Sequence, residues 1–517
     1  MYLFTSEMVT EMKMDASIIA LCAGKCRLLT LVLLLGVTGC AGIQAPQRDH
    51  LQADDTRLAE CAEWFVALDS AVAQGGVADI AARRMAGFPY LRIDRFLAAM
   101  KPLATSDPRA WQAWVDELRT RDADGRRVEI ANLPSAQITG LAAGDREALV
   151  RRTQACAEFL MTTDLSDASA IAALEHQAYV ADDYSSLKRA LGLYEFTRLP
   201  FYSGVKGWQD GEVQTLDRAR RGDQPAGQLQ RYVPPDQPVY SRREVREILT
   251  RAAEHPLGLA QLSAPERERL FATYAPVFAI ETEGDFDRIG RLFWSSAASP
   301  QVDTSQPVVY RRLGYVRHAS RTLLQLVYVA WFPERPRQGS FDLLGGHLDG
   351  VVWRVTLAPD GEPVLFDSIH PCGCYHMFFP TPRLEPIPPP QPGIEWAFIP
   401  ATLPVIAESE RLIVEVQTGS HYLRDVSTAK ASTGTTYKFV DYHQLRSLPL
   451  PQGGSRSVFG PDGLIAGTER GERFLFWPMG IASPGAMRQA GTQATAFVGR
   501  RHFDDADIVE KRFRFRY

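Results

Sequence analysis

The residues of this chain best suited to chemistry fall within seven positions, His370-Pro371-Cys372-Gly373-Cys374-Tyr375-His376. Imidazole and thiolate are the donor types that suit zinc and copper. The four donors recur at every second position, so on an extended strand all would project from one face. Reach limits that arrangement. Alternate strand residues lie roughly 6.7 Å apart, so four of them spread over about 20 Å. Donors to one ion must lie within about 4 Å of one another. A bend at Gly373 would bring Cys372 and Cys374 together with one histidine, and the remaining ligand would come from elsewhere. His347, in Gly345-Gly346-His347-Leu348-Asp349-Gly350, is the nearest in sequence, with Asp349 on its face if the segment is extended. Cys372, Cys374, His376, His370 and His347 are therefore the expected zinc or copper ligands, with His421 and His502 as further candidates.

Three other chemistries fit the same residues. Cys372 and Cys374 can close a strained Cys-Gly-Cys disulfide that stiffens a turn, or use that strained bond as a labile thiol–disulfide site. A cysteine nucleophile with His376 or His370 as its base is the remaining one. Elsewhere there is no Gly-x-Ser-x-Gly elbow, no His-Glu-x-x-His and no kinase set. Gly480-Ile481-Ala482-Ser483-Pro484-Gly485 reads as turn chemistry, without the glycine spacing of a phosphate loop. The acidic run from Glu281 to Asp287 reads as a solvent-facing turn, since it lacks calcium-loop spacing. A net charge of −4 argues against a chain-wide affinity for nucleic acid or anionic membrane and leaves room only for local patches.

The elements that must position these residues divide the chain. Residues 54–197 carry helical periodicity. Asp54 and Asp55 can cap a helix with Leu58, Cys61, Phe65, Leu68 and Val72 on one face, and a second helix from Asp145 presents Leu149, Thr153, Cys156 and Leu160. Cys61 and Cys156 thus lie on apolar faces, either as a disulfide stapling two helices or as two buried thiols. Residues 198–304 read as a mixed connecting region, irregular to about 240 and with short helices at 241–253 and 263–273. From 305 to 517 the pattern turns to strand. The run Leu323–Phe332 is a buried strand stopped at Pro333, and 351–357 with 363–370 form a hairpin about Pro359-Asp360-Gly361. Seven prolines make 380–392 an extended link. Further strands are expected at 411–417, 435–441, 473–477, 494–499 and 512–517. The fold class is α+β, a helical N-terminal region followed by a β-rich C-terminal domain that holds the His/Cys cluster.

The N-terminus says where such a protein works. Lys25 and Arg27 precede the apolar run Leu28–Val37, and Thr38-Gly39-Cys40-Ala41-Gly42 follows. The run is short of the roughly 20 residues that span a bilayer. This is the pattern of an export signal, and Val37-Thr38-Gly39-Cys40 resembles the lipobox of bacterial lipoproteins. The resemblance implies cleavage before Cys40, lipidation of that cysteine, a signal over 1–39 and a tether over 40–53. Ala41 after the anchor, in place of Asp, implies the outer membrane facing the periplasm. The long lead before Lys25 leaves Met12 or Met14 as alternative starts. The expectation is a membrane-tethered envelope lipoprotein with a transition-metal or thiol site. The alternative is a structural or assembly lipoprotein whose cysteines serve only as staples. Its one implied partner is the membrane, through the lipid.

Overall fold

Residues 56–141, 144–225, 227–295, 299–430 and 433–516 are described by a computed structural model. Cys40, the signal, the whole tether and the expected helix caps Asp54 and Asp55 lie outside them. The N-terminal half is helical: α1 Thr56–Gly75, α2 Arg95–Ala104, α3 Pro108–Asn132, α4 Ser135–Gly140, α5 Arg146–Asp164, α6 Ala168–Gln177, α7 Ser186–Leu191 and α8 Tyr194–Arg220. In α1 the buried Leu58, Cys61, Phe65, Leu68 and Val72 repeat at helical spacing and face α5, which starts where the Asp145 carboxylate accepts from the Ala148 N–H. Cys61 and Cys156 are joined across this packing as a disulfide.

One helix contradicts the sequence reading. Residues 198–220, expected as irregular chain, belong to the 27-residue helix α8, Tyr194–Arg220, with Pro200 inside it. Only Glu212 and Leu216 of this helix are fully buried, so it carries no apolar core stripe for periodicity to detect. Gly204, Gly207 and Gly211 sit in open space, where glycine signals no close packing.

Two more helices, α9 Arg242–Glu254 and α10 Ala264–Tyr274, lead into the strands. Both begin with reciprocal capping boxes, Ser241 with Glu244 and Ser263 with Glu266. A five-stranded sheet, in the order β14-β13-β4-β3-β15, is built from β3 Gln228–Val233, β4 Val277–Thr282, β13 Arg411–Val416, β14 Leu423–Ala429 and β15 Thr435–Thr436. A six-stranded sheet, in the order β11-β10-β9-β8-β7-β16, is built from β7 Val308–His318, β8 Arg321–Arg335, β9 Gly346–Leu357, β10 Pro363–Ile369, β11 Met377–Pro380 and β16 Lys438–Asp441. Smaller pairs join β1 Arg83–Met85 to β2 Phe88–Ile93 and β5 Arg291–Phe293 to β6 Gln301–Asp303. The protein is therefore α+β.

Strand β8 is apolar on both faces because both are covered. Leu324, Leu326, Tyr328 and Ala330 share a core with Phe278 and Val414 of the other sheet, while Val327, Val329 and Trp331 pack with Val352 and Ile369. Strand β8 also runs through Pro333 instead of stopping there, and that residue has no partner in the ladder with β9. Because β3 and β4 pair within a sheet completed by residues 411–436, the mixed and β-rich regions share one sheet, and the described residues belong to one compact unit.

Three expected strands differ. Residues 473–477 are helical, with α11 at Arg473–Phe476; 494–499 make only an isolated bridge from Ala494 to His502; and the C-terminus forms α12 Ile508–Arg512 before a three-residue strand, Phe513–Phe515, pairs with β12 Leu384–Pro386. Short aromatic-rich runs fit either state until the fold decides.

Candidate functional site

The His/Cys heptapeptide is not a strand. It is the turn between β10 and β11, closed by bonds from the His370 N–H to the Cys374 carbonyl (3.1 Å) and from the Gly373 N–H to the His370 carbonyl (2.8 Å). Gly373 sits at φ 93°, and a Cβ there would meet the Ala494 carbonyl oxygen at 2.5 Å. The alternation that would put four donors on one face is thereby lost, and each side chain leaves in its own direction.

His370 turns to Asp349, at the start of β9, with its Nδ1 3.1 Å from the Asp349 Oδ1; its Nε2 lies 3.1 Å from the His421 carbonyl oxygen. Asp349 Oδ2 meets His421 Nδ1 at 2.9 Å, and His421 Nε2 lies 3.3 Å from Asp287. Asp287 accepts from Thr418 Oγ1 (2.7 Å), the Gly419 N–H (2.8 Å) and the Glu283 N–H (2.9 Å). Asp287 is fully buried, which corrects the reading of the acidic run as a solvent-facing turn. The result is a buried line, Asp287–His421–Asp349–His370, with His421 stacked on Phe332 of β8 at 4.0 Å.

The charges follow from the geometry. Although burial opposes it, the flanking Asp287 and Asp349 carboxylates raise the His421 pKa. Asp349 is buried yet held well below the usual carboxylate range by the two imidazoles. Both nitrogens of His370 face oxygen acceptors, an arrangement fully satisfied only by the doubly protonated ring. Burial lowers its pKa, with Asp349 pulling the other way. Its hydrogen bonds thus call for two protons while its burial favours one.

His376 goes elsewhere. Its Nε2 lies 2.9 Å from Asp367, which Arg354 also holds through two nitrogens, and burial drives its pKa down to about 3. His347 Nε2 meets the Pro300 carbonyl at 2.7 Å, and His502 lies between Asp183 and Asp505. Cys372 is buried in the core beside Ile369 and Met487, while the half-buried Cys374 gives its N–H to Cys372 Sγ at 3.3 Å. Both are free thiols. The neighbouring Cys372, together with burial, pushes the Cys374 thiol well above its usual range, which is the wrong direction for a nucleophile. Among the described residues no group of three or more His, Cys, Asp or Glu side chains is placed to hold a metal ion.

Around His370 the structure gathers groups that no spacing announced. The Tyr375 ring lies 4.9 Å from His370 and 4.6 Å from Tyr422, and Trp208 of α8 covers Tyr375 at 5.3 Å. Arg335, at the end of β8, stacks over Tyr422 at 4.9 Å. Glu472 is buried, and burial lifts its carboxyl to about 7, with Arg335 and Arg470 opposing and Asp349 adding to the rise. Arg470 gives one nitrogen to the Leu348 carbonyl at 2.5 Å; its Nη1 is buried with no protein partner among the described residues. Burial lifts Glu212 of α8 to about 7 as well.

The backbone marks the same place. Six non-glycine residues have positive φ among the described ones, and Leu348 (52°), Tyr375 (63°) and His421 (54°) all belong to this centre. Such conformations cost of order 1–3 kcal/mol each and persist only where the surroundings enforce them.

A cleft of about 840 Å³ lies elsewhere, between the helical half and β7. Its charges are largely spent on one another: Arg121 on Asp94, Arg312 on Asp504, and Arg446 on Asp79 and Asp124. It is an ion-paired seam. No known protein family, no curated protein and no solved structure matches this chain.

Proposed function

We propose that this chain is an envelope enzyme, tethered through lipid at Cys40, that performs general acid–base chemistry beside His370. The observation that carries the reading is the coincidence of stored strain with buried charge. Three left-handed non-glycine residues bracket a line of two carboxylates and two imidazoles that folding alone does not require. Glu472, poised near neutrality, is the group that moves the proton. As a carboxylate it takes a proton from water. The oxygen attacks an electrophilic centre of the substrate, the bond to the leaving group breaks, and Glu472 returns the proton to that group. The unspent Arg470 nitrogen and the Tyr375–Tyr422 pair are the donors available for developing negative charge. Asp349 and His421 hold His370, and through it the turn that carries Tyr375.

Hydrolysis of a panel of ester, amide, phosphoester and glycoside substrates by the full-length protein tests this. Turnover of at least one class, lost in both Glu472→Gln and Asp349→Asn, is expected. If no class turns over, or if both variants retain full rate, the structural or assembly reading takes its place.

The transition-metal or thiol reading draws its support from Cys372 and Cys374, free thiols in adjoining positions. It requires zinc or copper that is lost in Cys372→Ser and Cys374→Ser alike, which elemental analysis beside thiol counting measures.

A further inference from the structure

Large hydrophobic side chains stand exposed at sixteen of the described positions, and ten of these fall in three short segments, 187–199, 341–343 and 474–477. The segments lie next to one another. Phe201 of α8 packs on Phe476 of α11 at 5.2 Å, and Arg189 of α7 gives its Nε–H to the Met479 carbonyl at 2.9 Å. The Glu472 N–H reaches the Leu343 carbonyl at 3.1 Å. Phe196 is 74% exposed, Phe474 69% and Phe341 95%. Monomeric soluble proteins seldom leave so much apolar surface together.

We infer that this face docks on the lipid surface and opens the candidate site toward it, so that the substrate is an amphiphile drawn from the bilayer. The second half of that inference rests on the reading of Glu472 as the catalytic group. Three observations single out a bilayer. The face mixes leucine with phenylalanine and Trp477, the composition of interfacial segments. Within these segments Lys188, Arg189 and Arg198 outnumber Glu195 and Asp342, a small surplus that suits anionic headgroups. Residues 41–55, between the lipidation motif and α1, can span roughly 50 Å when extended, so a body anchored at Cys40 can present this side to the membrane. No helix among the described residues is long and apolar enough to cross a membrane.

The face and the site share their elements. Glu472 directly precedes α11, and α8, which carries Leu199 on its exposed surface, also supplies Trp208 over Tyr375 and the buried Glu212. An amphiphile lying against Phe196 and Phe474 would thus meet the site without leaving the apolar surface.

The test uses the full-length lipidated protein in vesicles of phosphatidylethanolamine and phosphatidylglycerol with brominated acyl chains. Tryptophan fluorescence should be quenched, and Trp477→Phe should lose most of that quenching. Equal quenching in both proteins, or none in either, would overturn the docking, as would a concentration-dependent dimer that hides Trp477 from bromine. No turnover enters this readout, so it fails or holds apart from the catalytic reading. A paired variant, Phe196→Glu with Leu475→Glu, should lower turnover of vesicle-borne substrate at least tenfold and leave turnover of a water-soluble one unchanged. An equal fall on both substrates, or on neither, would overturn the lipid-substrate inference.

Discussion

At the scale of single residues, two buried histidines behave in opposite ways because their partners differ. His421, between two carboxylates, is raised, while His376 is lowered to about 3 by burial. In the unfolded chain both titrate near 6.5. For His376 the unfolded state takes up its proton first, so its contribution is complete above about pH 6.5 and fades as pH falls toward 3. Replacing it, as His376→Phe beside Phe378, should flatten the slope of stability against pH in that window, measured by denaturant unfolding at a series of pH values. An unchanged slope would mean that His376 is not buried as a neutral ring. Asp349 is the residue whose loss should hurt most. Asp349→Asn leaves His421 and His370 facing each other without the anion between them, and breaking a buried charge network of this kind costs about 3–5 kcal/mol. A shift under 1 kcal/mol would show that the line does not hold the charges assigned to it.

At the scale of elements, the legible features were those with a period or a cap. Helices α1, α5, α9 and α10 and the β9–β10 hairpin can be read from apolar spacing, capping carboxylates and Pro-Gly turns. Helix α8 could not, because it turns its apolar residues outward and buries only Glu212 and Leu216. The site was half legible. His370, Asp349 and His421 stood out as residues of a chemical type, but their mutual contacts depend on the positive φ at Leu348, Tyr375 and His421, which no local pattern announces. Asp287 hid in an acidic run, and Glu472, Arg335 and Arg470 hid among many ordinary charges until the fold buried or half-buried them. The Cys61–Cys156 bond closes a sequence separation of 95 between α1 and α5. In the chain-entropy model such a loop contributes about 4–5 kcal/mol. Cys61→Ser should lower the unfolding free energy by an amount of that order, and an effect under 1 kcal/mol would assign the stability of the helix pair to packing alone.

At the scale of the whole molecule, the helical half and the sheets are tied by buried charge as well as by apolar contact. Arg446, beyond β16, pairs with Asp79 at 2.7 Å, and Asn132 at the end of α3 gives its amide to the Arg446 carbonyl at 2.8 Å. Joined in this way, and with one sheet shared by distant segments, the body should unfold in a single transition that tryptophan fluorescence and far-ultraviolet circular dichroism report together. Two separated transitions would divide it into independent domains. In the proposed enzyme the proton is moved by one carboxyl group, Glu472, held near neutrality. The most direct test of that role is the pH–rate profile of the full-length protein and of Glu472→Gln on whichever substrate class turns over. With Glu472 as the base, the rate should climb through about pH 7 and level off above it, and the Gln variant should lose roughly 10²–10⁴-fold and the acid limb with it. A variant that keeps both its rate and that limb would contradict the account.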